Sequence, residues 1–199
     1  MHFLQLARRF SQSLVLFFII DISGAVADVA KGPTHGLYGT SGLIDMPTSE
    51  NAPDASVAFS LSGYNGQIRS TLTFQILPGL LGSFRYSTLY NEWTGDARQH
   101  WDRSFDLRYQ VMPETRLMPA ISLGVQDFIG TGVFSGEYVV GTKTIGPLKA
   151  SVGLGWGRYG SHNGFKNPLS GLSSKFDTRP ARDFGVGGEV EANGWFRGD

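Results

Sequence analysis

The chain contains no cysteine. That excludes a disulfide scaffold, a thiolate nucleophile, Cys-ligated zinc or iron–sulfur, and an acylated N-terminal cysteine. Charge of either sign is not in surplus, because 17 basic residues balance 17 acidic ones. Nucleic acid is thereby excluded as a partner, since no basic excess exists to displace counterions from phosphate. Only 17% of the residues are charged and 41% are hydrophobic, which is too apolar for a disordered chain. No apolar run approaches the roughly 20 residues of a membrane-spanning helix. Two classes are plentiful instead: 27 glycines, against a usual share of about 7%, and aromatic side chains at 13%.

Residues 1–27 differ from the rest. Arg8 and Arg9 form a basic start, Leu14 to Ile20 an apolar run, and Ala25-Val26-Ala27 a small-x-small site. The segment reads as a secretory signal peptide cut before Asp28. Removing it takes away two basic residues and one acidic residue, so the exported chain stays nearly neutral. Residues 28–54, punctuated by glycine and proline, read as an N-terminal periplasmic, plug-like segment. Residues 55–199 read as the barrel portion.

From residue 56 onward one pattern recurs. Val57, Phe59 and Leu61 alternate with Ser56, Ala58, Ser60 and Ser62, the period of a strand with one apolar and one small or polar face. Asn65-Gly66 is a strong hairpin signal, and Ile68, Leu72, Phe74 and Ile76 then oppose Gln67, Arg69, Thr71, Thr73 and Gln75. Further strands follow around Phe84 and Tyr86; around Phe105, Leu107 and Tyr109; over residues 117–126; over 137–143; and over 148–157. In the strand over 137–143, Tyr138, Val140 and Thr142 are read as the apolar side and Glu137 and Lys143 as the polar side. Residues 91–103 read as a loop.

The polar face is mainly Ser, Thr, Gly, Ala and Gln with scattered charges, which suits a crowded hydrated lumen better than a soluble surface. Strands of about 9–11 residues cross a bilayer when tilted. Tight turns at Pro78-Gly79, Pro113-Glu114-Thr115 and Ile145-Gly146-Pro147 alternate with longer connections, the layout of an outer-membrane barrel. The expected fold is therefore all-β, an antiparallel transmembrane β-barrel of outer-membrane type with about seven or eight strands present. The lumen-facing polar candidates are Arg69, Arg85, Asp106, Arg108, Glu137 and Lys149. Tyr86, Phe105, Tyr138 and Trp156 are expected in an aromatic girdle at the membrane interface. The expected location is the outer membrane of a Gram-negative bacterium, with outer-membrane lipid as a partner.

Several segments resemble one family. Gly39-Thr40-Ser41-Gly42-Leu43-Ile44-Asp45-Met46-Pro47-Thr48, Leu80-Leu81-Gly82-Ser83-Phe84-Arg85-Tyr86, Phe105-Asp106-Leu107-Arg108-Tyr109, Gly188-Glu189-Val190-Glu191 and Trp195-Phe196-Arg197-Gly198 are similar to the N-terminal part of the YjbH/GfcD family. The resemblance implies an outer-membrane β-barrel associated with exopolysaccharide or capsule production and export. It also implies polysaccharide and other envelope secretion proteins as partners. Members are several times longer than this chain, and seven strands leave two unpaired edges that bilayer hydrocarbon does not tolerate, so the sequence reads as part of a larger barrel. The alternative is a poor eighth strand at residues 183–190 that closes a minimal barrel.

Enzymatic chemistry finds no foothold. Residues 155–160 match G-x-G-x-x-G, but Ser161-His162-Asn163-Gly164 and then Pro168 follow where a phosphate-binding helix would have to start. His35, His100 and His162 stand alone in loops without metal-ligand spacing. Asp102 and Asp106 resemble a glycosidase carboxylate pair, yet Asp106 lies beside Arg108 on a polar face, where an ion pair is the simpler role. Trp93, Trp101 and His100 are candidates for stacking on sugar rings or for anchoring at the headgroup level. No catalytic residue, cofactor or metal site is expected. Two other functions stay open: a small structural or adhesion barrel without transport, and a soluble periplasmic carbohydrate-binding β-sandwich.

Overall fold

The computed structural model describes residues 32–90, 99–160, 164–180, 189–190 and 194–198. The signal-peptide segment, Trp93, His162 and most of 183–190 lie outside the described residues. Among these residues the fold is all-β, with no α-helix and three short 3₁₀ turns. No helix among them is long and apolar enough to cross a membrane. That leaves strands as a means of crossing untouched.

A two-stranded hairpin, β1 (Gly42–Leu43) and β2 (Met46–Pro47), precedes the main sheet. That sheet comprises β3 (Val57–Tyr64), β4 (Gln67–Leu77), β5 (Leu80–Leu89), β6 (His100–Met112), β7 (Ala120–Gly130), β8 (Gly136–Ile145) and β9 (Leu148–Gly155). Each strand pairs antiparallel with the next. The first hairpin closes as its sequence demands: Asn65 and Gly66 both have positive φ, 47° and 70°, as a type I′ turn requires.

The two faces of the sheet separate by chemistry. Thr71, Thr73, Ser83, Arg85, Ser87, Ser104, Asp106, Arg108 and Ser122 are buried on one face, while Val57, Phe59, Leu61, Ile68, Leu72, Phe105, Tyr109 and Val152 are exposed on the other. Residues 37–50 touch Ser62 on β3 and Lys149 on β9, so the sheet curls around this short segment with its polar face concave. No second sheet covers the apolar convex face among the described residues. A small apolar cluster of Tyr38, Leu89 and Phe134, flanked by Leu37 and Val133, lies on the concave side.

Two strands run further than their periodicity predicts. β6 begins at His100, so the expected loop 91–103 surrenders its last residues and Asp102 joins the buried face. β7 continues to Gly130 through an irregularity at which Asp127 has φ 52°, a conformation that Asp tolerates better than most residues. There Phe105 opposes Ile129 while Leu107 opposes Val125.

Among the described residues no eighth strand closes a barrel. β10 (Glu189–Val190) pairs with Gly130 and Ile129 of β7 rather than with β9 or β3. The reason is a local gap: β8 meets β7 only as far as Gln126 opposite Gly136, which leaves the end of β7 open to another strand. The result is a curled antiparallel half-barrel of seven strands.

Candidate functional site

The concave face is occupied by residues 34–52, which cross it from β3 to β9. Side chains of the sheet donate hydrogen bonds to the segment's carbonyls in sequence. Ser62 Oγ donates to Leu37 O (2.6 Å), Thr71 Oγ1 to Tyr38 O (3.4 Å), Thr73 Oγ1 to Gly39 O (2.6 Å) and Arg85 Nη1 to Tyr38 O (3.4 Å). Farther along, Arg108 donates to Thr48 O (2.7 Å), Glu50 O (2.5 Å) and Asn51 Oδ1 (2.7 Å), and Gln110 to Ser49 O (2.7 Å). Ser49 also meets β7 and β8: its Oγ lies 2.6 Å from Ser122 Oγ, and its N–H donates to Thr142 Oγ1 at 2.8 Å. Gly39 fits this path because its φ is +78° and a Cβ would lie 2.4 Å from Thr71 Cβ.

The charged groups fall into two sets. Arg85 and Asp106 pair with each other at 2.6 Å, both buried. The Asp106 carboxylate also accepts from Ser83 Oγ (3.2 Å) and Asp127 N–H (2.8 Å), so this buried pair has the extra hydrogen bonds that burying charge demands. The second set serves the segment. Lys149 pairs with Glu50, and Arg158 forms a two-pronged bridge to Asp45 at 2.9 and 2.6 Å. Three guanidinium groups surround the Tyr38 ring, those of Arg69, Arg85 and Arg158 at 4.3, 4.8 and 3.9 Å from its centroid, within cation–π reach. Burial pushes the Tyr159 phenol up to about 12, with Arg158 pulling the other way. It therefore stays neutral and donates to Gln126 at 2.6 Å.

Of the six polar candidates, the structure brings Arg69, Arg85, Asp106, Arg108 and Lys149 to the concave side, as the register of β4, β5, β6 and β9 shows. Glu137 is a correction. It opposes Val125 and projects from the convex side, where Arg179 and the Phe196 N–H (2.8 Å) cover it. Tyr138 is corrected with it. Its ring enters the concave side over Gly124, where a Cβ would stand 2.1 Å from Tyr138 Cζ, and meets Tyr159 edge-on at 5.5 Å. Alternation alone misassigned β8 because it could not see that a cross-strand glycine offered the tyrosine space. Trp156 is not an open rim aromatic either: its Nε1 donates to Asn167 Oδ1 (2.9 Å) and its ring meets Phe196 at 5.2 Å. Tyr86 and Phe105 do lie on the convex side, Phe105 against Phe84 at 5.0 Å and Tyr86 opposite Arg103.

Sequence reasoning missed Tyr38, Asp45, Glu50, Asn51 and Arg158. A usable signal existed for Tyr38, the one Phe, Trp or Tyr between residues 28 and 54. The G-x-G-x-x-G stretch ends β9 in a 3₁₀ turn, Gly157–Tyr159, and contributes Arg158 to the concave side. Asp102 does not pair with Asp106; its Oδ1 accepts from Thr131 Oγ1 at 2.6 Å.

The family described as exopolysaccharide biosynthesis protein YbjH matches residues 34–199. The uncharacterized lipoprotein YjbH of Escherichia coli (strain K12) is 28% identical over 174 residues, 84% of this chain and 25% of that protein. The chain thus spans about a quarter of that relative's length. No solved structure matches. The match covers both the segment on the concave face and the seven strands that enclose it, and this chain belongs to the YjbH exopolysaccharide biosynthesis family.

Proposed function

We propose that this chain forms part of a transmembrane β-barrel in a Gram-negative outer membrane. There it contacts or passes exopolysaccharide during production or export, without catalysing a reaction. The observation that carries the reading is the sheet's partition. Charged and hydroxyl side chains are buried on the concave side, and large apolar ones are exposed on the convex side. In water that arrangement leaves an apolar surface that a soluble monomer rarely shows; in a bilayer it matches an outward apolar band around a polar interior. Strands of 8 to 13 residues are long enough to cross when tilted. The polymer role is supported by family membership, and an envelope location by the E. coli relative being a lipoprotein.

One observation favours a second reading. The concave side is filled by residues 34–52, as it would be in a structural barrel that passes nothing. Outer-membrane fractionation of the protein from its complete reading frame tests the membrane reading. The expected result is a carbonate-resistant, heat-modifiable band; a monomer purified from the periplasm without detergent would sink it. Gene deletion tests the polymer role: secreted polysaccharide should change in amount or composition, and no change would leave the structural barrel standing.

A further inference from the structure

The row of donors on the concave face meets a backbone that is not part of its sheet. Between residues 34 and 54 the backbone–backbone bonds run within the segment itself, such as Leu37 N–H to Ile44 O and Thr48 N–H to Ser41 O. The first backbone bonds to the sheet come at Ala55 and Ser56, which bracket Gln75. Upstream of that anchor, among the described residues, side chains hold the segment to the sheet. Hydroxyls, carboxamides and guanidinium groups that grip carbonyl oxygens are equally suited to sugar hydroxyls and carboxylates.

Charge narrows the ligand class. Among the described residues, Arg69, Arg85, Arg108, Lys149 and Arg158 face the concave side. The carboxylates built into its wall are Asp102, Asp106 and Asp127. The segment adds Asp45 on Arg158 and Glu50 on Lys149, which brings cations and carboxylates level. Withdrawing it leaves a wall with two surplus cations. Spare hydrogen-bonding capacity is present too, since Ser87 Oγ and Asp102 Oδ2 are buried without a partner among the described residues.

We propose that the concave face is a binding track for an acidic polysaccharide, and that residues 34–52 are its resident occupant, displaced when the polymer enters. This rests on the barrel reading above. Asp45 and Glu50 stand in for the polymer's acid groups, and the segment's carbonyls for its oxygen acceptors. The stretch 52–56, with Ala55 at φ 57°, is where displacement would pivot.

The absence of native cysteine makes the test clean. In the double variant Ser49→Cys/Ser122→Cys, sulfur replaces two oxygens that lie 2.6 Å apart, so oxidation ties the segment to β7. The full chain is purified in detergent, and its binding of labelled polygalacturonate oligomers is read by fluorescence anisotropy, with dextran oligomers as the neutral control. The reduced form is expected to bind polygalacturonate at least about tenfold more tightly than the oxidised form, because the lock abolishes the competent state. Dextran is expected to bind neither. Equal binding of polygalacturonate by both forms, no binding by a folded reduced protein, or equal affinity for dextran each overturns the proposal. Asp45→Asn/Glu50→Gln supplies a milder arm: a weakened occupant should tighten polygalacturonate binding, and unchanged or weaker binding counts against displacement. Failure of the barrel reading registers separately, as loss of the heat-modifiable band in the same preparation.

Discussion

The two faces of one sheet obey opposite rules. On the concave side the buried charged side chains are hydrogen-bonded, and the Arg85–Asp106 pair sits at the centre of a network reaching Ser83, Ser104 and the Asp127 backbone. On the convex side the residues that a folded chain normally hides stand open, Phe59 at 66% and Val152 at 80% exposure. A hydrogen-bonded interior behind an apolar exterior reverses the partition of a protein built for water. The difference teaches that the sheet's energetics depend on what surrounds the convex face.

The largest expected effect tests the concave side. Arg85→Ala leaves Asp106 charged and unpaired in a buried site and should cost about 3–5 kcal/mol, whereas apolar replacement of both partners should cost far less. Urea unfolding of the membrane-reconstituted protein measures both; equal losses would show that the network is not coupled. The convex side is tested by Phe59→Arg. With lipid outside, the cost should be about 2–4 kcal/mol near the midplane. With water outside it should lie within about 0.5 kcal/mol, and that smaller value would erase the contrast between the faces. A third change strikes the segment without touching a charge: Gly39→Ala puts a side chain at a positive φ against Thr71 and should cost about 1–3 kcal/mol. Exchange of the amide hydrogens in residues 34–52 should rise more than in β4 if the segment alone is unseated.

The smallest effect lies outside both faces. Glu114, in the turn between β6 and β7, accepts hydrogen bonds from the Thr144 N–H (2.8 Å) and from Lys143 (3.0 Å), and these hold its carboxyl below the usual glutamate range. A carboxyl with a depressed folded-state value stabilises the fold above its ordinary value, and that contribution is lost as pH falls through the depressed one. Acid titration of stability should therefore fall slightly less steeply in Glu114→Gln than in the parent. Identical profiles would remove this turn-to-turn tie.

Much of this architecture was legible in the alternation of side chains. β3, β4, β5 and β9 carry their apolar and polar residues on the sides that the period of two predicts, because each has a consistent pattern and a sharp turn before it. The family, too, was legible in short motifs spread along the chain. What alternation missed depended on distant partners. Glu137 reads as a lumen residue until Arg179 is brought beside it, and Trp156 reads as a rim aromatic until Asn167 and Phe196 cover it. Asp102 reads as a loop residue because Trp101 and Arg103 break no pattern that a local window can test. Tyr38 lay in a stretch with no periodicity, and its role emerges only when three arginines from separate parts of the chain converge on it.

The fit of Tyr138 over Gly124 bears on assembly rather than stability. Strand pairing in a sheet is repetitive, and a neighbour displaced by two residues still satisfies most of its ladder. Here a displacement of β8 by two would set the tyrosine ring opposite Ser122 or Gln126, the present partners of Val140 and Gly136, where a side chain already fills the space. A displacement by one would turn Glu137 inward, away from Arg179. A missing side chain on one strand and a large ring on the next thus select a single alignment, and the chain carries its own check on how β7 and β8 are joined.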